Sequence, residues 1–249
     1  MLNIMLCGCG GRMGAAVIAA AQEAGDRIVA GVDINPAADS PFPIFTTPEE
    51  FQGKADVIVD FSHHSALPGL LAYATETKTP LVVCTTGHTE EETAAMKAAS
   101  ESVAVFFSRN MSLGINLLIS LCRRAAATLG ADFDIEIIEK HHNKKLDAPS
   151  GTALMIADAL SEEVAHRYVY DRHAERRQRE KGEIGLHAVR GGTIVGEHEV
   201  LFCGKDEIVT LAHSAASREV FATGALRAAR FMKGKGAGFY NMDDVIGSL

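Results

Sequence analysis

The sequence predicts an α/β chain in two parts, a doubly wound parallel sheet followed by a smaller α+β part with an open mixed sheet. Three observations carry that expectation. Through residue 110, short β-rich apolar runs alternate with helical stretches, the pattern of a parallel sheet with crossover helices. Beyond residue 130, strands follow one another with tight-turn signals between them. The length of 249 residues also exceeds the roughly 150 of a typical single domain.

Strands of the first sheet are expected at Leu2–Cys7, Ile28–Val32, Val57–Phe61, Leu81–Cys84 and Val103–Phe107. Helix starts are read at Thr47-Pro48-Glu49-Glu50 and Thr89-Glu90-Glu91-Glu92, each with Thr at the N-cap and Glu three residues on; the first also has Pro at N1. A helix over about Leu113–Leu129 leads to a strand, Phe133–Glu139, then a polar loop and a helix from about Thr152. Glu162–Glu183 is arginine-rich without apolar periodicity and reads as a fraying helix end and a solvated loop, with a subunit contact as the alternative. Leu186–Arg190, Thr193–Phe202 and Glu207–His213 read as strands joined at Gly191-Gly192 and Gly204-Lys205-Asp206. An amphipathic helix over about Arg218–Met232 comes last.

Composition removes several classes of function. With 47% hydrophobic and 22% charged residues the chain can bury a full core, so global disorder is excluded. The longest apolar run, Ala15–Ala21, is far short of the roughly 18 residues of a membrane span, and no basic segment precedes an apolar one at the N-terminus. A cytoplasmic protein is expected. Twenty-four Lys and Arg against 32 Asp and Glu leave a net charge of -8, a field that repels polyanions, so nucleic acid is not an expected partner. Cys7, Cys9, Cys84, Cys122 and Cys203 are odd in number and form no C-x-x-C pair, which points to reduced, buried thiols rather than a disulfide framework or a zinc site.

The first chemical signal follows the first strand, in Gly8-Cys9-Gly10-Gly11-Arg12-Met13-Gly14. Small residues there let a backbone approach a pyrophosphate, whose charge then sits at the N-terminus of the next helix. A strict G-x-G-x-x-G fails at Met13; the match is G-x-x-G-x-x-G. Asp33, at the end of the second strand, is placed to accept from ribose hydroxyls. Cys84-Thr85-Thr86-Gly87 and Ser108-Arg109-Asn110-Met111 lie where predicted strands give out into loops, the side of an open α/β sheet on which ligands bind. The first part is therefore expected to be a Rossmann-like dinucleotide-binding domain.

The second signal is Glu139-Lys140-His141-His142-Asn143-Lys144-Lys145-Leu146-Asp147-Ala148-Pro149-Ser150-Gly151-Thr152-Ala153. Ser150 is a good N-cap, and the first-turn amides of Gly151 and Thr152, helped by the helix dipole, suit a carboxylate. A cation beside them implies an anionic substrate, and His141 or Lys145 could deliver a proton. A solvated basic loop remains the bland alternative; a metal site lacks carboxylate or Cys partners for the His pair.

Taken together, these two stretches make the chain resemble the bacterial 4-hydroxy-tetrahydrodipicolinate reductase (dihydrodipicolinate reductase) family. Residues 139–153 match its E-x-H-H-x-x-K-x-D-A-P-S-G-T-A signature at every specified position, and likeness extends through Asp60-Phe61-Ser62, Asn110-Met111-Ser112-Leu113-Gly114, the Arg190…Gly196-Glu197-His198 hairpin and Gly238 to Val245. The resemblance implies hydride transfer from NADH or NADPH to C4 of a cyclic imine dicarboxylate, with a proton reaching C3, in the diaminopimelate route to lysine. It implies proton-donor roles at His141 and Lys145 and carboxylate contacts from His142, Gly151 and Thr152, with Ser150 beside them in the substrate site. It also implies that the C-terminal segment returns to the nucleotide domain (1–112 with 218–249), and that the second domain (113–217) builds a homotetramer. Two departures stand out: Cys84 replaces a common Gly, and Ile34 replaces an Arg that many members carry after the ribose acid. With no cation at position 34 beside Asp33, NADH is the expected preference over NADPH. Cys84-Thr85-Thr86 also has a superficial likeness to the nucleophile region of phosphorylating aldehyde dehydrogenases, and an NAD(H)-binding sensor is the non-catalytic alternative.

Overall fold

The computed structural model describes residues 1–35, 40–163, 166–173 and 176–248. The chain forms two compact units, Met1–Leu113 with Arg218–Leu249, and Gly114–Ser217. It begins with β1 (Asn3–Cys7), α1 (Arg12–Glu23), β2 (Arg27–Val32), β3 (Ile44–Phe45) and β4 (Val57–Asp60). Then come α2 (Leu67–Thr77), β5 (Leu81–Val83), α3 (Glu90–Ala99) and β6 (Ala104–Phe107). The second unit holds most of α4 (Leu113–Leu129), with β7 (Asp134–His141), α5 (Gly151–Glu163), β8 (Arg167–Val169), β9 (Glu183–Arg190), β10 (Gly196–Cys203) and β11 (Ile208–Ala215). The C-terminal segment, α6 (Glu219–Met232), β12 (Gly238–Tyr240) and α7 (Met242–Gly247), belongs to the first unit.

In the first unit seven parallel strands run in the order β12-β6-β5-β4-β1-β2-β3. Alternation along the strands builds two cores, because successive side chains leave opposite faces of a sheet. Ile4, Leu6, Val57, Val59 and Phe106 pack with Val17 and Ala21 of α1 and Ala225 and Ala229 of α6. Met5, Cys7, Ile58, Leu81 and Val105 pack with Leu67 and Leu70 of α2 and Met96 of α3. This is the doubly wound Rossmann-like arrangement. No helix among the described residues is long and apolar enough to cross a membrane.

The second unit carries a mixed sheet, β11-β10-β7-β9-β8, antiparallel from β11 to β7 and parallel from β7 to β8. One face packs under α4 and α5, with Ile135, Ile137, Ile184, Leu186, Val200 and Phe202 against Ile115, Ile119, Ile156 and Leu160. On β7 the row that faces this core runs Ile135, Ile137, Glu139, His141, all buried. The period-2 rule thus carries a carboxylate and an imidazole into positions that apolar residues occupy lower on the strand.

Several local expectations change. Thr47 makes no side-chain cap, and Pro48–Glu50 is a single 3₁₀ turn; Glu50 instead accepts from the amide and hydroxyl of Thr46 at 3.2 and 2.7 Å. The Thr89 capping box does form, with Glu92 as its acid. The arginine-rich stretch is not merely a solvated loop. It contains β8, which pairs with β9, and Arg167, Arg172 and Arg177 converge on the buried Glu183 at 2.6, 2.9 and 2.5 Å. Arg172 and Arg179 also reach Glu136, at 2.6 and 3.1 Å. The Arg172 guanidinium and its neighbours hold the Glu183 carboxyl well below the usual range. Residues 164–165 and 174–175 of that stretch lie outside the described residues.

Candidate active site

The β1–α1 turn is shaped by close backbone approach. Gly8 has φ +75°, and a Cβ there would meet Phe61 O at 2.6 Å; one at Gly14 would collide with Gly8 O. Gly11, the N-cap of α1, offers no side-chain acceptor to the first-turn amides, which suits an anionic ligand. Asp33 is locked onto this turn: Gly10 N–H donates to its Oδ2 at 2.9 Å and Asn35 N–H to its Oδ1 at 3.0 Å. A cavity of about 920 Å³ opens beside them, lined by Gly8, Gly10, Gly11, Asp33, Ile34 and Asn35 and by Thr46, Pro48, Ser62 and His63. These residues fit a dinucleotide. The last four were not among the cofactor residues expected from the sequence; the signal that points to them is their position just past the carboxyl ends of β3 and β4.

The remaining expected cofactor residues divide by where their side chains go. Arg12 and Arg109 are exposed, and Met13 is half-buried. Cys9 and Met111 turn their side chains into the core. Thr85 Oγ1 donates to the buried Asp60, which also accepts from the amide and hydroxyl of Ser62, so one carboxylate ties the loops after β4 and β5 together. Thr86 is exposed. Ser108 Oγ donates to Asn110 O at 2.7 Å and Asn110 Oδ1 accepts from Ser112 N–H at 2.9 Å, which shapes the loop after β6. Burial, then the Asp60 charge, pushes the Cys84 thiol well above its ordinary range. A thiolate nucleophile is thereby disfavoured, against the thioester alternative.

In the second unit, Glu139 is the centre of a hydrogen-bonded cluster. Arg190 grips it with a fork, Nη2 to Oε1 at 2.6 Å and Nη1 to Oε2 at 2.7 Å. Ser150 N–H donates to Oε1 at 3.0 Å, and His141 Nδ1 lies 2.6 Å from Oε2. Burial raises the Glu139 carboxyl, but Arg190, His141 and the Ser150 amide outweigh it and hold it below the usual range. For His141 burial dominates and lowers the imidazole, with Lys145 and Arg190 adding to it and Glu139 opposing. His198 packs edge-on to His141, ring centroids 5.2 Å apart, and its Nε2 lies 3.1 Å from Ser150 Oγ.

Ser150 differs from its expected role. It is the N-cap of α5, its Oγ accepting from Ala153 N–H at 3.1 Å, but its side chain is buried and its polar atoms are engaged within the protein. It therefore shapes the helix end instead of presenting a hydroxyl to a ligand. Gly151 is exposed and nothing lies within 4 Å of a Cβ placed there; Thr152 and His142 are half-buried. Lys145 Nζ pairs with Asp147 Oδ1 at 2.8 Å. The sequence did not single out Glu139, Arg190 or His198 as site residues, since two of them are brought in by β9 and β10. Among the described residues, no group of three or more His, Cys, Asp or Glu side chains is arranged to hold a metal ion.

The parallel sheet with its glycine turn, and Asp33 hydrogen-bonded to that turn, place the chain in the class of nicotinamide-dependent oxidoreductases. Residues 2–111 match the family model for dihydrodipicolinate reductase, N-terminus, and residues 114–246 the model for its C-terminus. The 4-hydroxy-tetrahydrodipicolinate reductase of Caldanaerobacter subterraneus subsp. tengcongensis is 50% identical over 99% of this chain and 98% of that protein. The reductase of the same name from Clostridium tetani is 47% identical over 100% and 98%. In fold, the chain is similar to dipicolinate-bound dihydrodipicolinate reductase from Paenisporosarcina sp. TG-14, with TM-score 0.80 and 24% identity over 97% of both chains. It is also similar to a WlbA dehydrogenase from Thermus thermophilus in complex with NAD and UDP-GlcNAcA, with TM-score 0.60 and 14% identity over 98% of this chain and 91% of that one. The chain belongs to the dihydrodipicolinate reductase family.

Proposed function

We propose that the protein reduces the cyclic imine derived from 4-hydroxy-tetrahydrodipicolinate to tetrahydrodipicolinate, in the diaminopimelate route to lysine, with NADH preferred over NADPH. The observation that carries the reading is that His141, Lys145 and the N-terminal turn of α5 share one loop-and-strand end, where Glu139 bonds His141 and the Ser150 amide and Asp147 pairs with Lys145. A nicotinamide cofactor supplies hydride when bound. The unit of Met1–Leu113 and Arg218–Leu249 holds it, through the Gly8–Gly14 turn, Asp33 and the loops after β5 and β6. In Gly114–Ser217, the first-turn amides of Gly151 and Thr152, with His142 and the Lys145 ammonium, hold the substrate carboxylates. Hydride arriving at C4 pushes electrons toward C3, and His141 or Lys145 donates the proton that C3 takes up. The second unit also supplies the subunit contacts of a homotetramer, and the protein works in the cytoplasm.

The test is cofactor oxidation by the purified protein with the substrate made in situ by its synthase. Steady NADH consumption that requires the synthase product supports the reading. Cofactor binding without consumption would leave a dinucleotide-binding sensor instead.

A further inference from the structure

We propose that Glu139 is a positioning residue that keeps the His141 proton on Nδ1, presents Nε2 as the nitrogen that exchanges a proton with substrate, and braces the α5 N-terminus through the Ser150 amide. This rests on the proposed role of His141 as a proton donor, and it names what sets that role.

Four donors meet the four acceptor positions of one buried carboxylate. Oε1 takes Arg190 Nη2 and Ser150 N–H; Oε2 takes Arg190 Nη1 and His141 Nδ1. The bidentate guanidinium, supplied by the β9 residue that pairs with His141, keeps the carboxylate ionised. An ionised carboxylate only accepts, so Nδ1 at 2.6 Å must donate. Neutral His141 therefore carries its hydrogen on Nδ1 and leaves Nε2 bare; protonated His141 has its second hydrogen on Nε2. When the N–H bond at Nε2 breaks, nitrogen keeps the bonding pair, the electron-rich carbon forms its C–H bond, and the imidazole returns to the tautomer that Glu139 stabilises.

Gly196 supports the same orientation. A Cβ at that position on β10 would lie 3.1 Å from His141 Nε2 and 3.5 Å from Cδ2, so the absence of a side chain keeps this nitrogen uncrowded. The groups that face His141 are Glu139 from β7, Lys145 from the following loop, Arg190 from β9 and His198 from β10. Glu139 alone among them bonds to a ring nitrogen of His141 and favours its protonated form.

The experiment is ¹⁵N-imidazole NMR on the full chain with bound nicotinamide cofactor, for the native protein and Glu139→Gln, alongside kcat–pH profiles. In the native protein, neutral His141 should be the Nδ1-protonated tautomer; an Nε2-protonated ring overturns the proposal even if the variant fails to fold. In Glu139→Gln the His141 midpoint should fall, the Nε2-protonated tautomer should gain population, and kcat should drop about 10²-fold, the cost of a misplaced general acid. A midpoint and tautomer that do not move overturn it. In a His141→Gln background, Glu139→Gln should cost little further kcat, and an undiminished second loss also overturns it. Near wild-type turnover in His141→Gln alone would instead remove the proton-donor reading, while the tautomer measurement still decides what Glu139 does to His141.

Discussion

Lys145 Nζ lies 2.8 Å from Asp147 Oδ1, so the cation proposed to meet a substrate carboxylate already holds one from its own chain. The Asp147 side chain is 57% exposed, and its carboxyl is held below the usual range first by the Lys145 ammonium. Exposed pairs of this kind contribute about 1 kcal/mol at most, equivalent to roughly fivefold in affinity. Asp147→Asn should therefore lower KM for the dicarboxylate by up to about fivefold with little change in kcat. Steady-state kinetics checks this, and a raised KM would mean that Asp147 aims Lys145 instead of competing for it.

Gly151 offers a clean probe of the carboxylate site. No atom lies within 4 Å of a Cβ built there, so Gly151→Ala should fold as the native chain does. A methyl on the first turn of α5 would crowd a carboxylate approaching its amides, and KM should rise about tenfold, roughly 1.4 kcal/mol. Because the glycine turn and Asp33 lie in the other unit, NADH affinity should stay the same. Calorimetric titration showing equal weakening of both ligands would contradict the assignment.

Cofactor preference should be set at position 34. Both Asp33 oxygens accept backbone amides, which fixes a carboxylate where a 2′-phosphate would come close, and the neighbouring Ile34 is 85% exposed and without charge. NADH should be the better cofactor. Ile34→Arg has room for its side chain and adds a charge-assisted partner, so kcat/KM for NADPH relative to NADH should rise about tenfold or more. An unchanged ratio would place the discrimination elsewhere, with Arg12 or Arg109 the next residues to replace.

Stability should depend on pH through His198. Burial lowers its imidazole to about 4 from an ordinary 6.5. Between those values the unfolded chain binds a proton that the folded chain does not, so stability rises with pH through this window and is lost as pH falls toward 4. The contribution of this one group is about 3 kcal/mol. His198→Gln keeps a partner for Ser150 Oγ but cannot titrate, so its urea midpoint should fall less than the native one between pH 7 and pH 5. Parallel losses in both proteins would show that other groups carry the acid sensitivity.

Local rules were sufficient for a large part of this molecule. Apolar runs located five of the seven strands of the parallel sheet, the Thr89–Glu92 capping box marked α3, and the glycines marked the tight β1–α1 turn that Asp33 joins, because each depends on neighbours in sequence or on one strand-to-helix unit. Ser150 was legible as an N-cap for the same reason. The short elements β3 and β12 and the helix α2 were not: β3 and β12 are edge strands of two and three residues, too short to show a period, and the apolar residues of α2 are explained by the sheet it covers. Only the tertiary structure decided what the charged groups do. Arg167, Arg172 and Arg177 look like a solvated run until β9 brings Glu183 among them. Glu139 looks like the polar end of a strand until Arg190 from β9 and the Ser150 amide surround it and turn it toward His141. Hydrophobic periodicity is a property of a segment, whereas a buried charge is tolerated only by partners that segments distant in sequence deliver.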